Sequence, residues 1–194
     1  MRKRVILITG TPCVGKTSVA HLLASKLNAF YLNLTELATN ESLILGKDKE
    51  RDSIIIDEKR MGRRVQELIM QCDRDVIIDG HYAVSVVPEQ LITYIFVLRR
   101  DPVELRNFME KCGFSGRKLW ENLASEILDV CLVEALNVHE EGKVCEINST
   151  GKSTEETTKE VLNVLNDREK CRVGVVDWLS RLENEGLLEE YLRI

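Results

Sequence analysis

None of the six cysteines, at positions 13, 72, 112, 131, 145 and 171, falls into a Cys-x-x-Cys pair, so the spacing excludes a zinc ribbon and a thioredoxin-type redox site. Thiols spread this widely are expected to stay free in a reducing compartment. Cys131 and Cys145, set among apolar neighbours, read as small buried hydrophobes. No apolar run approaches the length of a membrane span. The stretch behind the Met1-Arg2-Lys3-Arg4 start is too short for the core of a secretion signal, so a cytoplasmic protein with no membrane partner is expected. An excess of positive charge is missing too. Lys and Arg number 27 against 32 Asp and Glu, and the net charge of -5 argues against binding nucleic acid through a broad basic face. The short basic clusters Arg2-Lys3-Arg4, Arg60 with Arg63-Arg64, and Arg99-Arg100 suit solvated or phosphate-facing positions better than an RNA footprint. There is no internal repeat and no low-complexity tract.

Against these absences stands one strong motif. Gly10-Thr11-Pro12-Cys13-Val14-Gly15-Lys16-Thr17-Ser18 fits Gly-x-x-x-x-Gly-Lys-[Ser/Thr] and follows the apolar run Val5-Ile6-Leu7-Ile8, which suits a buried strand. Glycines at Gly10 and Gly15 allow backbone dihedrals closed to other residues, so successive N–H groups can curl around phosphates. The helix that begins near Thr17 adds its positive end. Lys16 is placed to reach the β- and γ-phosphates of ATP, and Thr17 to coordinate Mg²⁺.

Apolar, β-rich runs recur at 5–9, 30–32, 76–79, 93–98 and 143–147, separated by segments of helical periodicity. Helices are expected at 17–27, 57–72, 102–111, 115–139, 154–166 and 175–185, with Pro102 suited to a first helical turn. Such alternation predicts one α/β domain spanning 1–194, a parallel sheet with helices on both faces. Two stretches break the rhythm, the polar segment 33–51 and the turn 112–118, and both read as mobile elements over a site. Near the C-terminus, Val175, Leu179 and Leu182 share a helical face that is expected to dock on the chain's own core.

The run Val76-Ile77-Ile78-Asp79-Gly80-His81 puts a carboxylate at the carboxyl end of a buried strand, where open α/β sheets build their sites. Asp79 is the candidate for holding the water shell of Mg²⁺ between the phosphates. His81 lies two residues on, suited to orienting an attacking water, to bonding a phosphate, or equally to a structural role. Gly80 is expected to leave room beside it. Cations for the transferred group are available from Arg99, Arg100, Arg106, Lys111, Arg117 and Lys118. His21 and His139, both on predicted helices, read as surface or packing residues.

The phosphate loop, Ser53-Ile54-Ile55-Ile56-Asp57-Glu58, 76–81, Tyr94-Ile95-Phe96-Val97-Leu98-Arg99 and Gly113-Phe114-Ser115-Gly116-Arg117-Lys118-Leu119 through Glu126-Ile127 together resemble the adenylate kinase isoenzyme six family, also called coilin-interacting nuclear ATPases. The likeness runs to about Asn166, and the C-terminal segment looks more like an archaeal member than a nuclear one. It implies a P-loop nucleoside monophosphate kinase fold, with 33–56 as the monophosphate-binding region and 111–121 as a short lid. It also implies ATP contacts from Cys13, Gly15, Lys16, Thr17 and Ser18, and a match of Asp79-Gly80-His81 to the family's Asp-x-His motif. The family acts both as a nucleoside monophosphate kinase and as an ATPase that assists small ribosomal subunit maturation through a platform ribosomal protein.

Two departures stand out. Cys13 replaces a glycine, which is tolerable if that residue keeps an ordinary dihedral. Cys112 stands where the pattern has an arginine, and a thiol cannot replace a guanidinium, so closure over ATP is expected to depend on Lys111 or Arg117. The sequence thus reads as a Mg²⁺-dependent P-loop enzyme using ATP, passing the γ-phosphoryl to a nucleoside monophosphate such as AMP and more slowly to water. The alternative is an assembly ATPase whose hydrolysis switches its grip on a ribosomal protein; a kinase for another small molecule rests on fold analogy alone. Lys16→Ala is expected to abolish turnover while the circular dichroism spectrum stays native. Unchanged turnover would remove Lys16 from the mechanism.

Overall fold

The computed structural model describes residues 3–48 and 53–192, and within them the expected alternation is present. Among the described residues seven strands, β1 (Val5–Thr9), β2 (Phe30–Asn33), β3 (Ile44–Asp48), β4 (Ser53–Ile56), β5 (Val76–Asp79), β6 (Tyr94–Arg99) and β7 (Val144–Asn148), fall into two sheets. Among the described residues ten α-helices accompany them, the last three after β7: α1 (Lys16–Leu27), α2 (Leu34–Asn40), α3 (Glu58–Gln71), α4 (Ala83–Val86), α5 (Pro102–Lys111), α6 (Gly116–Ile127), α7 (Val130–Val138), α8 (Thr154–Leu165), α9 (Trp178–Asn184) and α10 (Leu188–Tyr191).

The main sheet has the order β2-β5-β1-β6-β7 and is wholly parallel, with Leu7 level with Ile78 on one side and Ile95 on the other. Side chains alternate across it with period two. Leu7, Ile78, Ile95 and Val97 face a core closed by Met61, Val65 and Ile69 of α3 and by Leu132 and Ala135 of α7. Ile6, Ile8, Ile77, Phe96 and Leu98 face a second core closed by α1, α5, α6, α8 and α9, through residues such as Leu23, Met109, Leu123, Val161 and Leu182. Because both faces are covered, the strands read as continuous apolar runs.

Residues 115–139, expected as one helix, form two. Asp129 adopts a left-handed dihedral (φ 57°) between α6 and α7, and its carboxylate pairs with Arg99. An ion pair formed across the fold overrides local helical periodicity here. Segment 33–51, expected as a polar mobile element, is anchored at its start. Asn33 caps α2 by accepting from Thr35 N at 2.9 Å and Glu36 N at 3.0 Å, and Leu34, Leu37 and Leu43 are buried. Beyond them β3 and β4 pair as an antiparallel hairpin on which Leu45 is 68 % exposed; residues 49–52 of the expected monophosphate-binding region lie outside the described residues. The C-terminal segment does dock on the core, but through Trp178, Leu182 and Tyr191. Val175 and Leu179 are exposed, and Val175 precedes the helix.

The expectation of six free thiols also needs correction. Cys145 and Cys171 form a disulfide with Cα atoms 4.6 Å apart, because residues 171–175 run back along β7: Glu146 N donates to Arg172 O at 2.8 Å and Val175 N to Glu146 Oε2 at 2.6 Å. Their spacing of 26 residues carried no hint of this return path.

At the end of β6, Arg99 is 1 % exposed and surrounded by acids. Its Nε donates to Glu126 Oε1 at 2.9 Å, its Nη1 to Glu146 Oε1 at 2.5 Å, and its Nη2 to Glu126 O at 2.8 Å as well as to Asp129. Burial pushes the Glu146 carboxyl above its usual range, with the Val175 N–H and Arg99 pulling it back. Replacing Arg99 by Met is expected to leave Glu126 and Glu146 uncompensated and to cost about 3–5 kcal/mol of stability, read from the urea midpoint. A loss under about 1 kcal/mol would mean that the cluster is not what joins β6, α6 and β7.

Candidate active site

The site grows from the carboxyl ends of β1 and β5. Gly10 leaves β1 at φ 133°, and a Cβ there would lie 2.4 Å from Leu98 O on the neighbouring strand, so the close turn admits only glycine. The loop that follows is tied down on three sides. Thr11 Oγ1 donates to Glu126 Oε2 at 2.6 Å, while Val14 O accepts from Arg100 Nε at 3.4 Å and from Ser149 Oγ at 3.2 Å. Gly15, at φ 107°, is the N-cap of α1 and presents no side chain to solvent. Cys13 differs from expectation: its φ is 67°, in the left-handed region where glycine is favoured, so the substitution there keeps the loop shape at a cost in local strain.

Lys16, the first residue of α1, folds back so that its Nζ donates to Thr11 O at 2.8 Å. Loss of hydration lowers its pKa, with Asp79 opposing. Thr17 Oγ1 donates to Asp79 Oδ2 at 2.6 Å, and Ser18 beside it is exposed. Asp79 is 2 % exposed, and its Oδ2 also accepts from Tyr31 OH at 3.1 Å and Asn33 Nδ2 at 3.0 Å. Burial and this carboxylate push the Tyr31 hydroxyl up to about 12. All three bonds converge on Oδ2, so Oδ1 keeps its lone pairs for a further donor.

The donor set fits magnesium. Thr17 and Asp79 offer hard oxygens side by side, and among the described residues no group of three or more His, Cys, Asp or Glu side chains forms a metal cage. Mg²⁺ is typically held by one or two protein oxygens plus phosphate and water, which is what such a site provides.

Next to the loop opens a cavity of about 730 Å³, lined by Thr11 and Pro12, by Ile54, Ile55 and Ile56 of β4, by His81 and Tyr82, and by Phe114, Lys118, Asn122, Ser125, Cys131 and Glu134. That volume lies in the range of a small-molecule site. His81 keeps solvent contact at the mouth, where its ring meets Tyr82 edge-on at 4.7 Å. Its backbone carbonyl accepts from Thr9 Oγ1 at 3.4 Å. Loss of hydration pushes the imidazole pKa down to about 4, the Lys16 charge adds to the shift, and Asp79 opposes it. The space expected beside Gly80 is filled by Leu34, whose side chain would lie 2.9 Å from a Cβ at that position.

The cations separate into distinct roles. Arg99 is consumed by its buried acids, and Arg106 pairs with Glu110 and Glu190 while covering Trp120 at 5.1 Å. Arg100 touches the loop and pairs with Glu104. Lys118 borders the cavity, whereas Lys111, 5.9 Å from the centre of the Phe108 ring, and Arg117, paired with Glu121 at 2.7 Å, stand outside its lining. His21 stacks on Tyr31 at 3.9 Å, and His139 is buried, as packing residues would be. The sequence reading missed Tyr31, Asn33 and Glu126. The first two were legible in principle as polar residues ending a strand, and Glu126 as a charge on the buried face of α6 between Leu123 and Ile127.

Comparison with known proteins agrees with this architecture. The family model described as AAA domain matches residues 6–129. A protein of Thermococcus kodakarensis named "Putative adenylate kinase" is 38% identical over 193 residues, covering 98% of this chain and 99% of its own length. Proteins with the same name from Pyrococcus furiosus (36% over 190 residues, 98% of each chain) and Methanocaldococcus jannaschii (36% over 176 residues, 91% of this chain and 93% of its own) are also similar. Among solved structures, an uncharacterized protein from Eubacterium ventriosum superposes with TM-score 0.55 at 16% identity, covering 86% of this chain and all of its own. A gluconokinase from Sinorhizobium meliloti superposes with TM-score 0.51 at 13% identity, covering 86% of this chain and 95% of its own. These two speak for the fold alone. Among the described residues no helix is long and apolar enough to cross a membrane.

The lowered pKa makes His81 neutral at physiological pH, with the proton taken up only as pH falls toward 4. An NMR titration of its ring is expected to give a midpoint well below the ordinary 6.5. A midpoint at 6.5 would show that Lys16 and burial do not act on it.

Proposed function

We propose that this chain, which belongs to the adenylate kinase family of its archaeal relatives, transfers the γ-phosphoryl group of ATP to AMP and, more slowly, to water. One observation carries the reading: Thr17 is bonded to Asp79 at 2.6 Å, with Lys16 alongside, at the edge of a cavity with room for a second nucleotide.

In this reading the loop N–H groups of 10–18, from Gly10 through Cys13, Gly15 and Ser18, cradle the ATP phosphates at the start of α1. Lys16 exchanges Thr11 O for the β- and γ-oxygens. The polyphosphate then restores to its ammonium the stabilisation that burial had removed. A magnesium ion held by Thr17 and, through water, by Asp79 would supply neutralisation of the charge between the β- and γ-phosphates. AMP lies in the cavity with its base against Ile54, Ile56 and Tyr82 and its phosphate toward Lys118 and the loop. A phosphate oxygen of AMP attacks the γ-phosphorus in line as the bond to the β-γ bridging oxygen breaks. Lys16 meets the charge left on the ADP. The described residues of 33–56 form the AMP side and 111–121 the lid, where Lys111 and Arg117 approach ATP on closure. Neutral His81, at the mouth of the cavity, is placed to orient an attacking water by accepting its hydrogen bond, which links it to hydrolysis rather than transfer.

A second reading is an ATPase that assists small ribosomal subunit maturation by gripping a platform ribosomal protein. It draws support from the exposed Ile44, Leu45, Ile54 and Ile55 on the β3–β4 hairpin and from the net charge of -5, which suits a basic partner.

Adding AMP to enzyme and MgATP is expected to raise ADP output by about tenfold or more over phosphate release from ATP alone. Phosphate release indifferent to AMP but stimulated by a basic ribosomal protein would favour the second reading. Asp79→Asn is expected to lower transfer and hydrolysis together, by about a hundredfold, because both pass through the same phosphates. His81→Ala is expected to reduce hydrolysis more than transfer, and equal losses would leave His81 a supporting role.

A further inference from the structure

The carboxylate that anchors the phosphate loop is itself anchored from α9. Glu126 Oε2 accepts from Thr11 Oγ1 at 2.6 Å, and its Oε1 accepts from Trp178 Nε1 at 3.0 Å, besides Arg99 Nε at 2.9 Å and the Arg100 N–H at 3.1 Å. Thr11, Arg99, Glu126 and Trp178 are all buried. An indole has one donor and no acceptor, so once buried it must spend that donor on a protein atom, and here the atom is Glu126 Oε1. Trp178 opens α9, beyond the residues 6–129 matched by the family model. Its approach is fixed from two sides. Residues 171–175 lie along β7, with Glu146 N donating to Arg172 O and Val175 N to Glu146 Oε2, while Arg181, one turn on, pairs with Asp101 and covers the Trp178 ring at 5.8 Å.

Thr11 is where this chain of bonds reaches the site. Its side chain is held by Glu126, its carbonyl accepts from Lys16 Nζ at 2.8 Å, and it lines the cavity beside the loop. We propose that Trp178 is a positioning residue for the phosphate loop: its indole N–H fixes the orientation of the Glu126 carboxylate, which through Thr11 holds the loop in shape for a polyphosphate. Without that N–H, Oε1 keeps only the two donors from the end of β6, and the carboxylate is free to turn out of line with the Thr11 hydroxyl. A hydrogen bond weakens steeply with misalignment, so the loop loses part of its hold. The loss falls on binding rather than on phosphoryl transfer, because a bound polyphosphate itself holds the loop N–H groups. This inference rests on the loop being the ATP site.

Trp178→Phe keeps an aromatic ring and removes the N–H. Calorimetry on the full chain, at a temperature where urea titration shows it folded, is expected to give an ATP affinity lowered about threefold to tenfold, with kcat at saturating ATP within about twofold of the unaltered chain. Thr11→Val is expected to lose ATP affinity to a similar degree and Thr11→Ser to keep it. Thr11→Val combined with Trp178→Phe is expected to lose no more than Thr11→Val alone, since both act through one bond. Coupling is reciprocal, so the Trp178 indole N–H resonance of the unaltered chain is expected to move when MgATP is added, and to stay in place in Thr11→Val. That measurement decides the matter even where Trp178→Phe does not fold. Unchanged affinity in Trp178→Phe, losses that multiply in the double variant, or an indole resonance indifferent to MgATP overturns the positioning role alone. An unaltered chain that does not bind ATP overturns the nucleotide reading and this inference with it.

Discussion

One buried carboxylate holds the working parts of this protein in place. Glu126 accepts from Thr11 of the phosphate loop, from Arg99 Nε and the Arg100 N–H at the end of β6, and from Trp178 Nε1 at the start of α9. Three parts of the chain that are distant in sequence therefore share one pair of oxygens. Desolvating a carboxylate is costly unless its lone pairs are filled, and here each bond is made by a group that itself has few alternatives. Thr11 is 1 % exposed and Arg99 is enclosed, so neither can turn to water instead.

The same economy governs the site. Under the proposed function the loop is best held rigid, since phosphate binding by backbone N–H groups depends on their being aimed beforehand. Glu126, Arg100 and Ser149 supply that rigidity from behind, and Lys16 fills the front by bonding Thr11 O. Asp79 and Thr17 are aligned by Tyr31 and Asn33, which arrive from the neighbouring strand end. Chemistry-bearing groups thus come from the carboxyl ends of β1, β2 and β5, with β6 and α6 supporting them, as expected where an open parallel sheet reverses its winding direction.

The cavity wall has a different character from the loop. It mixes apolar side chains of β4 with polar ones of α6, and the hairpin that carries Ile54 and Ile55 extends outward from a base anchored by Leu34, Leu37 and Leu43. A root fixed in this way suits the proposed movement of the segment over an acceptor without disturbing the sheet. The turn 112–115 and the start of α6 face it from the other side, so the two elements that broke the rhythm of the sequence flank one opening.

The placing of Gly10, Lys16 and Thr17 between a strand and a helix, and of Asp79 at a strand end, was legible in the sequence because a strand, a glycine turn and a helix start form a local pattern that a short window contains. The parallel sheet was legible too, since burial on both faces leaves apolar runs such as 5–8 and 76–78. What the sequence could not determine were the meetings. The break at Asp129 follows from Arg99, thirty positions away, and outweighs the helical periodicity of 115–139. The disulfide of Cys145 with Cys171 depends on a return path along β7, and the positive φ of Cys13 on the curl of a loop pinned by Glu126 and Arg100. Local motifs arise from interactions between near neighbours, so the order of residues specifies them. Pairings of buried charges and thiols arise from the packing of helices on the sheet, and only the folded chain brings those partners within reach.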